Sequence, residues 1–299
     1  MNTIKGFNQT HLANLITDAK CKIIPANVAR IMNEIPEGRR QVMRFPGGTV
    51  ANEYNVFQFG HVKAETKKSK WVNAKKNPIE PFIEASKTIG WQVIPVLNLV
   101  EPYNGKLESN LEMIQKFVDA KIPMEWVELG NELNIWTGVT GDYNRNKDAY
   151  NRAIDRYYDL SLEFHNEVKK YFPELKTAAV SAIFGNNGRD NAWANKFNAG
   201  PWDGIVIHHY ESDTTGRNWL ITLKEIVRQA RTDNKALLLT EINYRLGPST
   251  THANYKANAG KSWTRDYQDE VWALCEQAGV DLMCYHNIAG DSEYSYLKM

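Results

Sequence analysis

The sequence predicts an α/β fold, a single (β/α)8 barrel (TIM barrel) over residues 1–299 with a shortened or missing eighth helix. Two observations predict it. Short apolar runs alternate eight times with segments of helical spacing, as in a parallel sheet covered by helices. Several runs, such as VIPVL, GIVIHHY and ALLLT, are apolar throughout, which is typical of strands buried on both faces.

The predicted strands are residues 3–8, 41–46, 91–99, 125–130, 177–184, 204–210, 236–241 and 281–286. Helical periodicity predicts helices at 77–89, 109–120, 148–171, 219–231 and 264–277. The first of these opens on Asn77-Pro78, a capping residue followed by proline at the first helical position. The last ends before Gly279, a typical C-terminal cap. Only 13 residues follow His286, so an ordinary eighth helix is not expected.

The alternative architecture is an open doubly wound sheet. Such sheets usually bind phosphates through GxGxxG or GxxxxGK[ST] directly after a strand, and neither pattern follows any predicted strand here. The barrel is therefore favoured.

Composition argues against several classes of function. The net charge of +1 produces no field that would favour nucleic acid or a membrane surface, and no apolar run is as long as a membrane span. The three cysteines have no CxxC spacing, so neither a disulfide network nor a zinc site is expected. The first residues lack the apolar core of a secretory signal, which predicts a chain that stays in its cell, is trimmed, or is exported by another route. Oligomeric state cannot be derived from these features.

Polar residues gather at the carboxyl ends of the predicted strands, where barrels of this kind hold their active sites. In chain order they are Arg44, Asn98, Asn131, Glu132, His208, Tyr210, Glu241 and His286. Glu132, in the stretch VELGNELNIW, could simply cap the next helix. A second carboxylate at the end of strand seven favours chemistry instead.

Two glutamates facing each other across a barrel mouth suit hydrolysis of a glycosidic bond, with one as proton donor and the other as nucleophile. Arg44 and Tyr210 are available to stabilise the ionised carboxylate. Glu128 lies four residues before Glu132, hence about 13 Å lower along an extended strand. We interpret Glu128 as a buried, paired structural carboxylate.

The motifs GNE at 130–132, HHY at 208–210 and TE at 240–241 resemble those of the retaining glycoside hydrolases of clan A. KGFN at 5–8 also fits, and MRFPGGT at 43–49 resembles the second-strand motif of α-L-arabinofuranosidases and of the β-agarase and porphyranase group. The resemblance spans residues 5 to about 290. It implies a retaining hydrolase of poly- or oligosaccharides that needs no cofactor or metal.

The same resemblance implies roles for individual residues. Glu132 would be the acid/base and Glu241 the nucleophile. Asn131 would bind the sugar 2-hydroxyl, while Arg44 and Tyr210 would orient Glu241. The remaining candidates for substrate binding are His208, Trp136, Tyr244 and His286.

Aromatic residues in or near loops after strands could stack on sugar faces, although core packing is the ordinary role of a tryptophan. They are Trp136, Trp202, Trp263, Tyr103 and Tyr244. Residues 63–76 carry six lysines against one glutamate, which fits a solvated loop or one that attracts an anionic polysaccharide. Adjacent strand residues His208 and His209 face opposite sides and cannot bind one zinc ion together.

Three functions remain open from the sequence. An endo-acting polysaccharide hydrolase is favoured because of the long aromatic-bearing loops. An exo-acting arabinofuranosidase-type enzyme is the near alternative. A non-catalytic carbohydrate-binding barrel is the third, and the presence of both Glu132 and Glu241 argues against it.

Overall fold

Eight parallel strands form the centre of the molecule. The computed structural model describes residues 3–8, 15–18, 20–58, 77–100, 105–136, 146–182, 188–211, 216–244, 262–286, 288–290 and 297–298. The strands are β1 Ile4–Asn8, β2 Val42–Phe45, β3 Gln92–Pro95, β4 Trp126–Leu129, β5 Lys176–Val180, β6 Gly204–Glu211, β7 Ala236–Tyr244 and β8 Leu282–His286. They pair in the order β3-β2-β1-β8-β7-β6-β5-β4. A parallel bridge between Val96 and Glu128 joins β3 to β4, so the sheet is a nearly closed barrel.

Helices surround this barrel. They are α1 Pro25–Glu34, α2 Ile79–Ile89, α3 Lys106–Asp119, α4 Leu133–Trp136, α5 Lys147–Tyr171, α6 Gly188–Phe197, α7 Gly216–Thr232 and α8 Ser262–Ala278. Each of β1 to β7 is followed by a helix, with the short α4 preceding α5. Beyond His286, the described residues 288–290 and 297–298 contain no helix, only the paired two-residue strands β9 Ala289–Gly290 and β10 Leu297–Lys298. The predicted (β/α)8 barrel with one helix missing is therefore confirmed.

The bounds of some elements differ from the prediction. The third and fifth strands are shorter than predicted, and β7 continues to Tyr244. The helices α1 and α6 were not predicted. Val28 and Ile31 of α1 are buried, and their spacing of three residues is a helical one that the prediction overlooked. The first turn of α6 reads Gly-Arg-Asp-Asn, residue types that are typical of loops.

The barrel interior is filled by one apolar layer to which every strand contributes. It consists of Val42, Ile94, Trp126, Ala178, Val206, Leu238, Leu282 and Cys284, with Ile4 and Ala236 packed against them. A larger apolar cluster lies between the strands and the helices. Trp202 belongs to that outer cluster: it is 1% exposed and its Nε1 donates to the carbonyl of Phe197. Of the two roles that the sequence left open for Trp202, the structure shows core packing, because the ring is enclosed by protein.

Two other sequence features can be placed only in part. Among the described residues, every helix is too short or too polar to cross a bilayer. The lysine-rich residues 63–76 lie outside the described part of the chain, as do Tyr103 and the side chain of Trp263.

Candidate active site

A layer of polar side chains lies directly above the apolar layer of the barrel. Side chains on one face of a strand recur every second residue. Four polar residues lie two positions beyond apolar residues of that layer: Arg44 beyond Val42, Glu128 beyond Trp126, His208 beyond Val206 and His286 beyond Cys284. Asn8 is the last residue of β1. The carboxyl ends of β1, β2, β4, β6 and β8 therefore direct one polar group each into the same space.

Arg44 is the centre of this layer. Its Nε donates to Glu128 Oε2 at 2.7 Å, and its Nη2 donates to Glu128 Oε1 and to Asn131 Oδ1, the latter at 2.8 Å. Its Nη1 donates to Glu241 Oε1 at 2.7 Å and to Asn8 Oδ1 at 3.3 Å. A guanidinium has five N–H donors, and all five meet a protein oxygen here. Arg44 thus orients the site and has no donor left for a ligand.

Arg44 and Glu128 form a buried ion pair in which each charge favours the ionised form of the other. Burial opposes the charge of Arg44, but Glu128 and Glu241 more than compensate and raise its pKa above the ordinary value. Burial likewise opposes ionisation of Glu128, but Arg44 and His208 outweigh it and lower the pKa of that carboxyl. Both groups are therefore ionised at neutral pH. The prediction that Glu128 is buried and paired is confirmed.

A β-bulge in β7 places Glu241 inside the barrel. The three residues of β6 from Val206 to His208 lie opposite four residues of β7, from Leu238 to Glu241. The pairing with β8 has the same shift, with Leu239 opposite Met283 and Ile242 opposite Tyr285. Without the extra residue, Glu241 would lie on the opposite face from Leu238, among the helices. With it, Glu241 faces Arg44 and is 4% exposed.

Glu132 reaches the site through a turn. The strand ends at Leu129, and the chain then turns through positive φ angles at Gly130 (93°) and Glu132 (46°). A Cβ at Gly130 would lie 2.7 Å from Leu133 Cδ1, so this turn requires glycine. The chain is not extended here, and the predicted 13 Å offset between Glu128 and Glu132 is therefore wrong. Both carboxylates lie within reach of one imidazole, that of His208.

His208 lies among three carboxylates. Its Nδ1 is 3.1 Å from Glu132 Oε1 and 3.7 Å from Glu241 Oε2, and its Nε2 is 3.9 Å from Glu128 Oε1. Nε2 also meets Thr240 Oγ1 at 3.2 Å. Burial lowers the pKa of His208, but the charge of Glu241 and the hydrogen bonds to Glu128 and Glu132 outweigh it and raise the pKa to about 9. His208 is therefore a cation at neutral pH.

The surroundings of His286 favour a neutral imidazole, in contrast to those of His208. Its Nδ1 lies 2.8 Å from Asn8 Nδ2, an amide donor. Burial lowers the pKa of His286, with Arg44 and His208 acting in the same direction against Glu241. His286 is therefore neutral where His208 is charged.

Glu132, His208 and Glu241 form a group whose ligand atoms lie within 4.8 Å of one another, a spacing that could hold a metal ion. A metal ion would have to displace the proton of His208 and approach the cation of Arg44. Both effects disfavour metal binding, because imidazole must be neutral to act as a ligand. The carboxylate pair fits proton transfer and nucleophilic attack better than coordination.

The sequence-predicted candidates can now be located. Arg44, Asn131, Glu132, His208, Glu241 and His286 converge on one space. The side chains of Trp136, Tyr210 and Tyr244 lie outside the described residues. Asn98 instead holds a loop together, since its Nδ2 donates to the Tyr54 carbonyl and its Oδ1 accepts from the Val100 amide.

Sequence reasoning missed Asn8 and Thr240 as members of this site and treated Glu128 as remote from it. Asn8 could have been found, because it is a polar residue at the carboxyl end of a strand that otherwise reads Ile-Lys-Gly-Phe. Thr240 could also have been found, because it lies two residues beyond the inward-facing Leu238 and so on the same face of the strand.

Comparison with known proteins gives a likeness of fold. No model of a known protein family matches the chain, and no curated protein sequence does. Among solved structures, a family 51 α-L-arabinofuranosidase from Bifidobacterium longum superposes with a TM-score of 0.60 at 13% identity, over 98% of this chain and 66% of its own. A β-glucuronidase from Bacteroides uniformis has a TM-score of 0.60 at 11% identity, over 98% of this chain and 31% of its own.

Two further structures match over most of their own length. An endo-1,4-β-D-mannanase from Thermotoga petrophila superposes with a TM-score of 0.55 at 13% identity, over 97% of this chain and 89% of its own. Fungal β-1,4-galactanases give a TM-score of 0.52 at 13% identity, over 95% of this chain and 89% of theirs. The chain spans at most two thirds of the arabinofuranosidase and glucuronidase chains. The likeness is one of fold: this chain has the same (β/α)8 barrel as these glycoside hydrolases, as the resemblance of the motifs implied.

Proposed function

We propose that the protein is a retaining glycoside hydrolase that cleaves a polysaccharide by double displacement, with Glu241 as nucleophile and Glu132 as acid/base. The observation that carries the proposal is the carboxylate pair. Oxygens of Glu132 and Glu241 lie within 4.8 Å of each other. Retaining enzymes place their two carboxyl groups about 5–5.5 Å apart, whereas inverting enzymes leave about 6.5–9.5 Å for a water molecule.

In the first step Glu241 attacks the anomeric carbon. The Nη1 of Arg44, 2.7 Å from Glu241 Oε1, favours the ionised form and fixes the orientation of that oxygen. Glu132 gives its proton to the leaving oxygen and becomes a carboxylate 3.1 Å from protonated His208. The imidazolium therefore stabilises the charge that Glu132 acquires when it gives its proton to the leaving oxygen, and stabilising a charge that develops in the transition state accelerates a reaction.

In the second step Glu132 acts as a base. It takes a proton from a water molecule, which attacks the glycosyl-enzyme and releases Glu241 with retained configuration. The side chain of Glu132 is 21% exposed whereas that of Glu241 is 6% exposed. This difference suits a residue that exchanges protons with water and one that is covered by the sugar.

Asn131 is suited to position the sugar. Its Oδ1 accepts from Arg44, which turns its Nδ2 away from the guanidinium. That Nδ2 is buried and meets no acceptor in the described chain. A buried amide without a partner is costly, and a substrate hydroxyl next to the cleaved bond would satisfy it.

A polysaccharide is the substrate class we favour. The mannanase and galactanases named above match this chain over most of their own length. An exo-acting arabinofuranosidase-type enzyme is the alternative, since a structure of that kind also superposes well. An anionic polysaccharide remains a prediction from the sequence, because residues 63–76 are rich in lysine.

The test is chemical rescue of two variants after activity is found on a panel of neutral and sulfated polysaccharides. In Glu132→Ala, an activated aryl glycoside still forms the glycosyl-enzyme, which accumulates because water lacks a base. Azide, which needs no base, should restore turnover and give a glycosyl azide of retained configuration. Glu241→Ala with azide should give the inverted azide, because the covalent step is lost.

Reversed stereochemistry in the two variants would exchange the roles of Glu132 and Glu241. A wild-type protein that cleaves none of the polysaccharides but binds one of them would make the chain a carbohydrate-binding barrel instead.

A further inference from the structure

The two histidines of the site have partners of opposite kinds. His208 Nδ1 faces the carboxylate oxygen of Glu132 at 3.1 Å, whereas His286 Nδ1 faces the carboxamide of Asn8 at 2.8 Å. An imidazole nitrogen opposite a carboxylate oxygen carries a proton, but one opposite an N–H accepts it through a lone pair. The protonation of His286 therefore depends on which end of the Asn8 amide it meets.

Arg44 decides that orientation. Its Nη1 lies 3.3 Å from Asn8 Oδ1. Because a guanidinium has donors and no acceptor, the amide oxygen must face Arg44 and the amide nitrogen must face His286. His286 Nδ1 then presents a lone pair, and the proton of the neutral ring lies on Nε2.

We propose that Asn8 is a positioning residue that holds His286 neutral with its proton on Nε2, so that His286 binds a sugar oxygen as a hydrogen-bond donor. The protonation state of His286 is inferred from the contacts of Asn8 with His286 and Arg44 in the free protein. The role toward a sugar rests on the proposed function. Arg44 in this arrangement orients two side-chain amides, those of Asn131 and Asn8, by donating to the oxygen of each.

The charges around His286 agree with a neutral ring. Burial lowers its pKa most, Glu241 of β7 and Glu132 after β4 oppose this, and two cations support it. Those cations are Arg44 of β2 and His208 of β6. A protonated His286 would add a third cation beside Glu241 and weaken it as a nucleophile. A neutral donor avoids that cost.

The experiment is a long-range 1H–15N spectrum of protein labelled with 15N-histidine. The signals of His286 are assigned by their loss in His286→Gln. In the wild type at pH 7 we expect Nδ1 in the unprotonated range and Nε2 in the protonated range. In Asn8→Asp, which matches asparagine in size, the new carboxylate accepts from both neighbours, so Nδ1 should gain a proton and the ring should titrate at higher pH.

His165 is an internal control. Its Nδ1 meets Thr177 Oγ1 at 2.7 Å, away from the site, so its signals should be the same in the wild type and in Asn8→Asp. Matching His165 signals show that the variant is folded. A wild-type His286 that is cationic, or that has its proton on Nδ1, overturns the proposal. So does an Asn8→Asp spectrum in which His286 is unchanged.

Kinetics test the role toward the sugar. The neutral ring of Asn8→Asp would have its proton on Nδ1 and none on Nε2. We therefore expect its KM to rise about tenfold as pH rises through the new titration of His286, the cost of one lost hydrogen bond. The wild-type KM should stay level over the same interval. A level KM in Asn8→Asp, with the expected spectra, overturns the donor role alone. A wild type without glycosidase activity but with the expected spectra refutes the proposed function and leaves the positioning role intact.

Discussion

The wild type should lose stability between pH 6.5 and 9, and replacing His208 with asparagine should abolish this loss. His208 is enclosed by Glu128, Glu132 and Glu241. Burial lowers its pKa, but the charge of Glu241 and the hydrogen bonds to Glu128 and Glu132 outweigh burial and raise the pKa from 6.5 to about 9. The folded protein thus binds a proton that the unfolded chain releases near pH 6.5. Asparagine has a similar reach but cannot take a charge.

The change in the pKa of His208 gives both the sign and the size of its effect on the free energy of unfolding. A group whose pKa is raised by folding stabilises the folded state fully below its unfolded pKa and loses this contribution as pH rises through its folded pKa. A change from 6.5 to about 9 corresponds to about 3 kcal/mol. The side chain of His208 is only 8% exposed, so solvent screens this contribution little. The wild type should therefore lose about 3 kcal/mol of unfolding free energy from this group between pH 6 and pH 10.

The assay is urea denaturation of the wild type and of His208→Asn at constant ionic strength across that range. Groups that do not interact with His208 titrate equally in both proteins, so the difference between their unfolding free energies reports on His208 and on its charged neighbours. That difference should shrink as pH rises. His165→Asn is the matched control: the pKa of buried His165 is lowered, chiefly by burial, so its difference from the wild type should stay constant above pH 7. A difference for His208→Asn that is equally constant would mean that His208 is neutral in the folded protein.

Three further predictions concern the backbone and the buried charges. Gly130→Ala should cost about 1–3 kcal/mol of unfolding free energy, since φ is 93° and the added Cβ would meet Leu133; thermal unfolding measures it. Glu132→Gly should be more stable than Glu132→Ala by about 1 kcal/mol, because glycine removes the strain of φ 46°; equal stability would show that no strain is present. Glu128→Gln should be destabilising by about 3–5 kcal/mol, because Arg44 would lose a fully buried counter-charge. An unfolding midpoint near that of the wild type in urea would refute this last estimate.

The fold and the meeting point of the site residues could be predicted from the sequence. Alternating apolar runs and helical segments leave few architectures open, and parallel strands bring their carboxyl ends together. Those two rules were sufficient to place Arg44, Asn131, Glu132, His208, Glu241 and His286 near one another. They required no knowledge of side-chain orientation.

The orientation of the carboxylates could not be predicted in the same way. Regular alternation from Leu238 would send Glu241 outward, and an extended chain would carry Glu132 far above Glu128. Regular strand geometry breaks down at two local departures, the bulge in β7 and the turn after Leu129. Such departures depend on one or two residues, and hydrophobic patterns averaged over a strand do not reveal them.

The bulge in β7 also limits how this segment of the chain can change. Leu238 below it is set by the packing of the barrel, and Glu241 above it is set by the contact with Arg44. One extra residue reconciles the two requirements, so the segment can accept substitutions but no change in length. An insertion or deletion there would turn a carboxylate into the apolar space between strands and helices. The direction in which the side chains of β7 point therefore depends on the number of residues between Leu238 and Glu241. A laboratory recombination of barrel halves should join the chain outside residues 238–241.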